Sequence, residues 1–413
     1  MWGLSVVAED DVRTGGMIME ALAPRPRIAF ICAGDPLEIR TWSGTPHHML
    51  EALSAEFDVV HVVREPWPRW FSNLRGLLRR VSGRRIDIYW SPFWTRLAGR
   101  KAIDEITGSG ADIAFAVAVT PITAQLTRIM PTVFVSDATQ AVMIDYNPFF
   151  FSLLPGLKRS AYKLETQAIR DSIAAFFPSA WAYGSAVGEH RGDPAHVFQV
   201  HWGANMEARG FTRPEERAKD AWRLLFVGVN WQGKGGDIAV EAVQAMRRAG
   251  YNVHLDVVGS APSSPPPAIE GVTFHGFLNK HVPADAERLA ALFRSAHLFI
   301  LPTQFEALGI VISEAASYAL PSIAYRTGGL PSNVEGGRTG ILIEPGAPAA
   351  DFAREMIALL NDTERYEAMC YAALELSRNK LNWPTWARRV REAVESRVNR
   401  RAPQGKREVA SVH

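Results

Sequence analysis

Short apolar, β-branched runs alternate with helix-patterned stretches twice over along this chain, and that alternation limits the fold more than any other feature. The first series comprises RIAFICAG (27–34), FDVVHVV (57–63), ADIAFAVAV (111–119), TVFVS (132–136) and AAFFPS (174–179). Helical spacing fills several of the gaps, as in TPHHMLEALSAE, where Met49, Leu50 and Leu53 recur on one face. The second series comprises RLLFVG (223–228), NVHLDVVG (252–259), VTFHGF (272–277), HLFILP (297–302), LPSIAY (320–325) and GILIEP (340–345). Such alternation predicts parallel sheets covered by helices on both faces. The charged stretch FTRPEERAKDAW (211–222) between the series reads as a linker, SAPSSPPPAIEG (260–271) as a surface loop, and Asp351 to about Val398 as helical. Two doubly wound halves place a ligand cleft between them, at the C-terminal ends of the strands.

The length of 413 residues suits two domains of that kind. The expected division is a tail over 1–24, one domain over 25–205, another over 206–385, and a C-terminal helix with a basic tail over 386–413 packing back on the first. With 47% hydrophobic and 21% charged residues and a net charge of +2, the chain has a globular composition, and any basic preference is local. Cys32 and Cys370 lie far apart in apolar surroundings, which supports neither a disulfide framework nor a metal cluster and suits a reducing cytoplasm. Glu9, Asp10 and Asp11 stand where a secretory signal needs a basic start. The apolar runs fall short of the roughly 20 residues that span a bilayer.

Two segments carry chemistry. In FVGVNWQGKGGD (226–237), Gly228, Gly233 and Lys234 match the phosphate-binding P-loop spacing, but Gly235 stands where that loop needs a Mg²⁺-binding hydroxyl. In FEALGIVISEAASYALPSIAYRTGGLP (305–331), seven residues separate Glu306 from Glu314, with a helix starting near Gly309. Free amides and the positive dipole end at that helix start suit a diphosphate, and the flanking carboxylates can accept hydrogen bonds from sugar or ribose hydroxyls. Taken alone, Glu306 is an ordinary loop carboxylate and Glu314 an exposed helix residue. The strand before them and the Gly328-Gly329 turn after them make the composite more telling.

This pattern resembles the retaining glycosyltransferases of family 4, which have the GT-B fold, two Rossmann-like doubly wound α/β domains facing a central cleft, and take nucleotide diphosphate sugars as donors. In the first half the resemblance rests on WSGTPHHMLEAL (42–53), SDATQAVMIDY (136–146), FPSAWAYGSA (177–186) and HWGAN (201–205), like a bacterial subgroup with a Trp-Ser-Gly-Thr-Pro loop and an Asp-Ala-Thr segment. It implies that Glu314 binds the ribose, Glu306 the transferred sugar, and the backbone at Leu308, Gly309 and Ile310 the sugar and distal phosphate. Lys234 would neutralise the departing diphosphate in place of a metal, and Gly44 and Thr45 would close over it from the first domain. No cofactor is implied. There are two departures from the family: Val229 and Gly233 stand where relatives carry an arginine, and Asp137 where many carry a cleft histidine. Asp137 reads either as a sugar- or acceptor-binding catalytic carboxylate or as a turn residue. The expected activity is hexose transfer with retention to a lipid, lipid-linked glycan or polysaccharide precursor. The alternative is a nucleotide-sugar-binding protein of the same fold that has lost turnover.

Residues 64–101 concentrate Arg69, Arg75, Arg79, Arg80, Arg84 and Arg85 beside Trp67, Trp70, Phe71, Trp90, Phe93 and Trp94. One helix with rings on one face and arginines on the other would lie on an anionic membrane, at the inner face of the cytoplasmic membrane. A helix packed on its own domain is the competing reading; nucleic acid is not expected, because no known module accompanies the arginines. His47 and His48 lack metal-ligand spacing, and His201 and His275 read as structural. Trp231 reads either as a stacking platform or as core, and Phe274–Leu278 with Thr303 as lining for the base and sugar.

Overall fold

In the computed structural model, which describes residues 25–39, 41–146, 152–218, 220–263 and 268–401, the eleven apolar runs and one further short strand, Val197–Gln199, pair into two sheets of six strands. The first holds β1 (Arg27–Cys32), β2 (Asp58–Val63), β3 (Ile113–Val117), β4 (Thr132–Val135), β5 (Ala174–Phe177) and β6 (Val197–Gln199), in the order β2-β1-β3-β4-β5-β6. The second holds β7 (Trp222–Gly228), β8 (Val253–Gly259), β9 (Val272–Phe274), β10 (Leu298–Leu301), β11 (Ser322–Tyr325) and β12 (Gly340–Ile343), ordered β12-β11-β10-β7-β8-β9. Every pairing between these strands is parallel. The unbroken burial of β3, β4, β5, β10 and β11 is what helices on both faces demand of a strand.

Strand order places the cleft. In the second sheet the chain runs outward from β7 through β8 to β9, then returns to β10 on the other side of β7. The loops after β7 and β10 therefore diverge, and a crevice opens between them at the strand C-termini. The first sheet reverses in the same way between β1 and β3. The two units meet across these ends: Leu308 and Ile310 of the second pack into the apolar cluster of the first beside Trp202 and Trp383, and the amide of Ala180 donates to Ser332 Oγ at 2.9 Å.

The chain crosses between the units twice. The helix Trp383–Arg401 leaves the second unit and buries Trp386, Ala387, Val390 and Val394 in the core of the first. Trp383 Nε1 donates to the Ala204 carbonyl at 2.9 Å, so the outgoing and returning segments lie side by side. The stretch 211–222 is less free than its charge suggests. Arg217 is buried and donates to the Tyr366 hydroxyl at 2.6 Å and to the carbonyls of Tyr318 and Ala319 at 3.1 and 2.9 Å. The N-terminal tail, the prolines 265–267 and the basic tail from 402 lie outside the described residues.

Residues 64–101 form two helices, Arg69–Val81 and Pro92–Gly108, rather than the single amphipathic helix expected. Phe71 and Trp90 are buried and Trp67 packs on Phe71, so these rings belong to the core. Arg75 makes a two-pronged bond to the buried Asp87 at 2.7 and 2.9 Å. What stays exposed is Trp70, Leu77 and Val81, at spacings that share one helix face, together with Phe93 and Leu97 of the second helix. Among the described residues no helix is long and apolar enough to cross a membrane.

Candidate active site

Beyond β7 the chain makes one short turn of helix, Trp231–Lys234, opened by Asn230, whose Oδ1 accepts from the Gly233 amide at 3.1 Å. This turn aims Lys234 across the crevice, where its Nζ is ion-paired with Glu306 Oε2. Gly235 closes the turn at φ 77°, and a Cβ there would lie 2.0 Å from the Pro302 carbonyl oxygen. The loops after β7 and β10 thus touch backbone to backbone, and a serine at 235 has no room. The P-loop reading fails on sterics as well as on chemistry.

One expectation is corrected at this seam and one open alternative is resolved. Thr303 is fully buried and its hydroxyl faces the carbonyls of Gly233 and Phe305 at 3.0 and 3.1 Å, so it fastens the two loops instead of lining a sugar pocket. Trp231 is buried, donates to Asp237 at 2.7 Å and packs on Phe226, so it is core and not a stacking platform. Phe277 is exposed while Leu278 is buried, so the segment after β9 is only partly open to a ligand.

The β10 loop then delivers Glu306 and turns at Gly309, φ 75°, into the helix Ile310–Ser317. A side chain at 309 would meet Leu330 Cδ2 at 2.4 Å, which together with the left-handed backbone explains glycine there. The first amides of this helix have no intrahelical acceptor. The Gly328-Gly329 turn packs beneath, with the Gly329 amide donating to the Glu306 carbonyl at 3.2 Å. Glu314, a turn inside the helix, is 0% exposed. Its Oε1 accepts from Lys280 Nζ, while Oε2 is buried without a protein partner. Sequence reasoning missed Lys280, since a lone lysine in a loop after β9 carries no local signal.

From the first unit come Gly44, Thr45 and Asp137. Trp42, Ser43 and Gly44 are all left-handed, at φ 46°, 58° and 86°, a conformation costing roughly 1–2 kcal/mol for each non-glycine residue. The turn is held by the edge-on packing of Trp42 against Trp202 at 5.4 Å and by Asn205 Nδ2, which donates to the Ser43 carbonyl at 3.0 Å and to Thr45 Oγ1 at 2.8 Å. It presents Gly44 at the start of the helix Thr45–Glu56. The Thr45 hydroxyl is buried and accepts from Asn205 Nδ2. On the same helix His48 stacks on Trp383, and burial lowers its pKa, which favours the neutral ring.

Asp137 follows β4. Burial pushes its carboxyl up to about 7; its own amide and that of Ala138 pull it down, and the carboxylates of Glu306 and Glu165 push it up. Glu165 lies behind this loop, accepting from the Gln140 amide and paired with His190 at 3.1 Å. A second residue missed from sequence is Tyr146. Its hydroxyl accepts from the Glu306 amide at 2.7 Å and sits 2.9 Å from Thr327 Oγ1, a direct bond from the first unit to the backbone of the second. Lys234, Glu306, Leu308, Gly309, Ile310 and Glu314 therefore share one crevice, which Asp137 and Tyr146 face from the other unit.

Two six-stranded parallel doubly wound sheets meeting at their C-terminal ends make this a GT-B fold. Solved structures with that arrangement include sucrose-phosphate synthase from Thermosynechococcus elongatus (TM-score 0.67, 15% identity, 91% of this chain and 100% of that one). They also include WaaG, a glycosyltransferase involved in lipopolysaccharide biosynthesis (TM-score 0.61, 14% identity, 89% and 99%), and Anabaena Alr3699/HepE in complex with UDP and glucose (0.59, 16%, 90% and 100%). Within the second unit, residues 221–362 match the family described as Glycosyl transferases group 1. Similar curated proteins include the D-inositol 3-phosphate glycosyltransferases of Arthrobacter sp. (strain FB24), 32% identical over 161 residues, and of Streptomyces scabiei (strain 87.22), 29% identical over 241. The matches cover 36% and 54% of this chain and 38% and 54% of those proteins, so the chain spans about half their length or less.

Proposed function

We propose that this protein is a glycosyltransferase that moves a hexose from a nucleoside diphosphate sugar to an acceptor hydroxyl, with retention at the anomeric carbon and without a metal ion. The observation that carries this reading is the crevice between the loops after β7 and β10, where a helix start is flanked by two carboxylates, each held by a lysine. As the bond from the sugar to the diphosphate breaks, negative charge grows on the leaving phosphate. Lys234 and the amides at Gly309 and Ile310 are placed to stabilise it, acting as preorganised dipoles and charge in place of Mg²⁺. Once its lysine turns to the phosphate, Glu306 is free to accept from sugar hydroxyls. Asp137, with a carboxyl near neutrality, is suited to a sugar hydroxyl or to the incoming acceptor.

The acceptor in this reading is a lipid, a lipid-linked glycan or a polysaccharide precursor. It is met at an anionic membrane surface on which Trp70, Leu77, Val81, Phe93 and Leu97 dock. The ligands in the Anabaena structure put UDP-sugars first in a panel of donors. In thermal-shift measurements with UDP-, GDP- and ADP-sugars, one donor is expected to raise the melting temperature, and release of its nucleotide in the presence of membrane extract would establish turnover. Stabilisation with no release would favour the donor-binding alternative, which the absence of an arginine at Val229 and Gly233 keeps in view. Lys234→Ala is expected to lower nucleotide release by at least about a hundredfold, the scale of one lost transition-state contact, and near-normal release would sink the assignment.

A further inference from the structure

The loop after β7 supplies one cation, Lys234, to a site meant for a dianion; Val229 and Gly233 supply none. The structure brings in another from a different direction. Lys280 lies between β9 and the helix Pro283–Ser295 on a segment pinned at both ends: Leu278 is buried, Asp285 accepts from the Asn279 amide at 3.0 Å, and Asn279 Oδ1 accepts from the His281 amide at 3.1 Å. With its backbone so fixed, Lys280 reaches inward to Glu314. Glu314 stands four residues beyond Ile310, about 6 Å along the helix axis from the amides that open it. Rotation of a lysine side chain covers a distance of that order.

We infer that Lys280 is the second donor-site cation and takes the place of the absent arginine, an inference that rests on the donor-site reading above. In the free protein the charges close on themselves: Lys234 neutralises Glu306, and Lys280 neutralises Glu314. When a nucleoside diphosphate enters, each lysine turns from its carboxylate to the diphosphate, two positive charges against two negative. Each carboxylate is thereby released to accept from hydroxyls, Glu314 from the ribose and Glu306 from the sugar. The buried, partnerless Oε2 of Glu314 is the acceptor that such a diol completes. The lysines thus hold the carboxylates in position before the donor arrives.

Lys280→Ala alone would strand a buried carboxylate, so the test works in a background without that charge. Binding of UDP, GDP and ADP, and of the matching nucleosides, is measured by titration calorimetry for the wild type, Glu314→Gln, Lys280→Met with Glu314→Gln, and Lys280→Arg. In the Glu314→Gln background, Lys280→Met is expected to weaken the diphosphate by about tenfold or more, the loss of one charge-assisted contact, and to leave the nucleoside within about threefold. Lys280→Arg is expected to stay within about threefold of wild type for both. Equal losses for nucleoside and diphosphate, or no loss for either, would overturn the inference and leave Lys280 as a structural partner of Glu314. If the wild type binds none of the three diphosphates, the donor-site reading itself has failed.

Discussion

Restoring the missing P-loop hydroxyl is the sharpest way to probe the seam between the two donor loops. Gly235→Ser would complete the Gly-x-x-x-x-Gly-Lys-Ser pattern, yet the structure makes it a damaging change. The backbone at 235 is left-handed at φ 77°, which costs an L-residue roughly 1–2 kcal/mol. The new Cβ would lie 2.0 Å from the Pro302 carbonyl oxygen, where ordinary contact begins at 3.4 Å. One backbone must retreat by the difference, 1.4 Å, and forced shifts of this kind cost about 1–3 kcal/mol. The sum is about 2–5 kcal/mol. For a unit of this size, at about 2–4 °C per kcal/mol, that lowers the melting temperature by about 4–20 °C. Scanning calorimetry would read the transition, and donor-induced stabilisation would report on the site, because Lys234 and Glu306 sit on the two loops being pushed apart. A variant that melts with the wild type, or that acquires Mg²⁺-dependent hydrolysis of a nucleoside triphosphate, would refute the reasoning.

Tyr146→Phe removes the acceptor of the Glu306 amide across the cleft, a loss of about 1–3 kcal/mol, and is expected to lower the melting temperature by about 2–12 °C and to lower kcat/KM through the loosened Glu306 loop; a variant that keeps both wild-type values would contradict this role. For Asp137, the folded-state pKa of about 7 lies above the ordinary 3.8, so the native state favours the protonated form. The associated stability is full below about pH 4 and is lost as pH rises through about 7. Plotted against pH, the melting temperature of the wild type should fall relative to Asp137→Asn across that window, and parallel curves would contradict the assignment. Leu77→Glu combined with Phe93→Glu should abolish flotation with anionic vesicles while leaving donor-induced thermal stabilisation intact; unchanged flotation would move the docking surface elsewhere.

The interior strands were legible because both sheets are parallel and buried there, so each announces itself as an apolar run between glycine- or proline-marked turns; the three-residue edge strand β6 was not read. That Lys234, Glu306, Gly309 and Glu314 share one crevice was legible for a related reason: they lie on two loops whose local patterns are self-contained. Lys280 and Tyr146 were not, since each reaches the site from a loop or helix far away in sequence, and only strand order brings Lys280 to Glu314 or Tyr146 to Glu306. Thr303 was misplaced, and Trp231 left undecided, because their residue types suit a ligand as well as a core. The arginine-rich segment was read as one helix where the structure has two. Its charge pattern cannot reveal that Asp87 lies in wait for Arg75.

The side-by-side crossing at Ala204 and Trp383 bears on how such proteins can be recombined. The first unit is discontinuous: its core is finished by a helix made after the whole second unit. A chimera cut once, in the charged stretch 211–222, would pair one protein's hydrophobic core with another's closing helix, and Trp386, Val390 and Val394 would face a foreign surface. The transplantable cassette is therefore the interior segment, about 206–382, inserted through two junctions, with the terminal helix left to its original host. A donor preference exchanged in that format would carry both lysines and both glutamates together, and the acceptor side would keep every residue of its own fold.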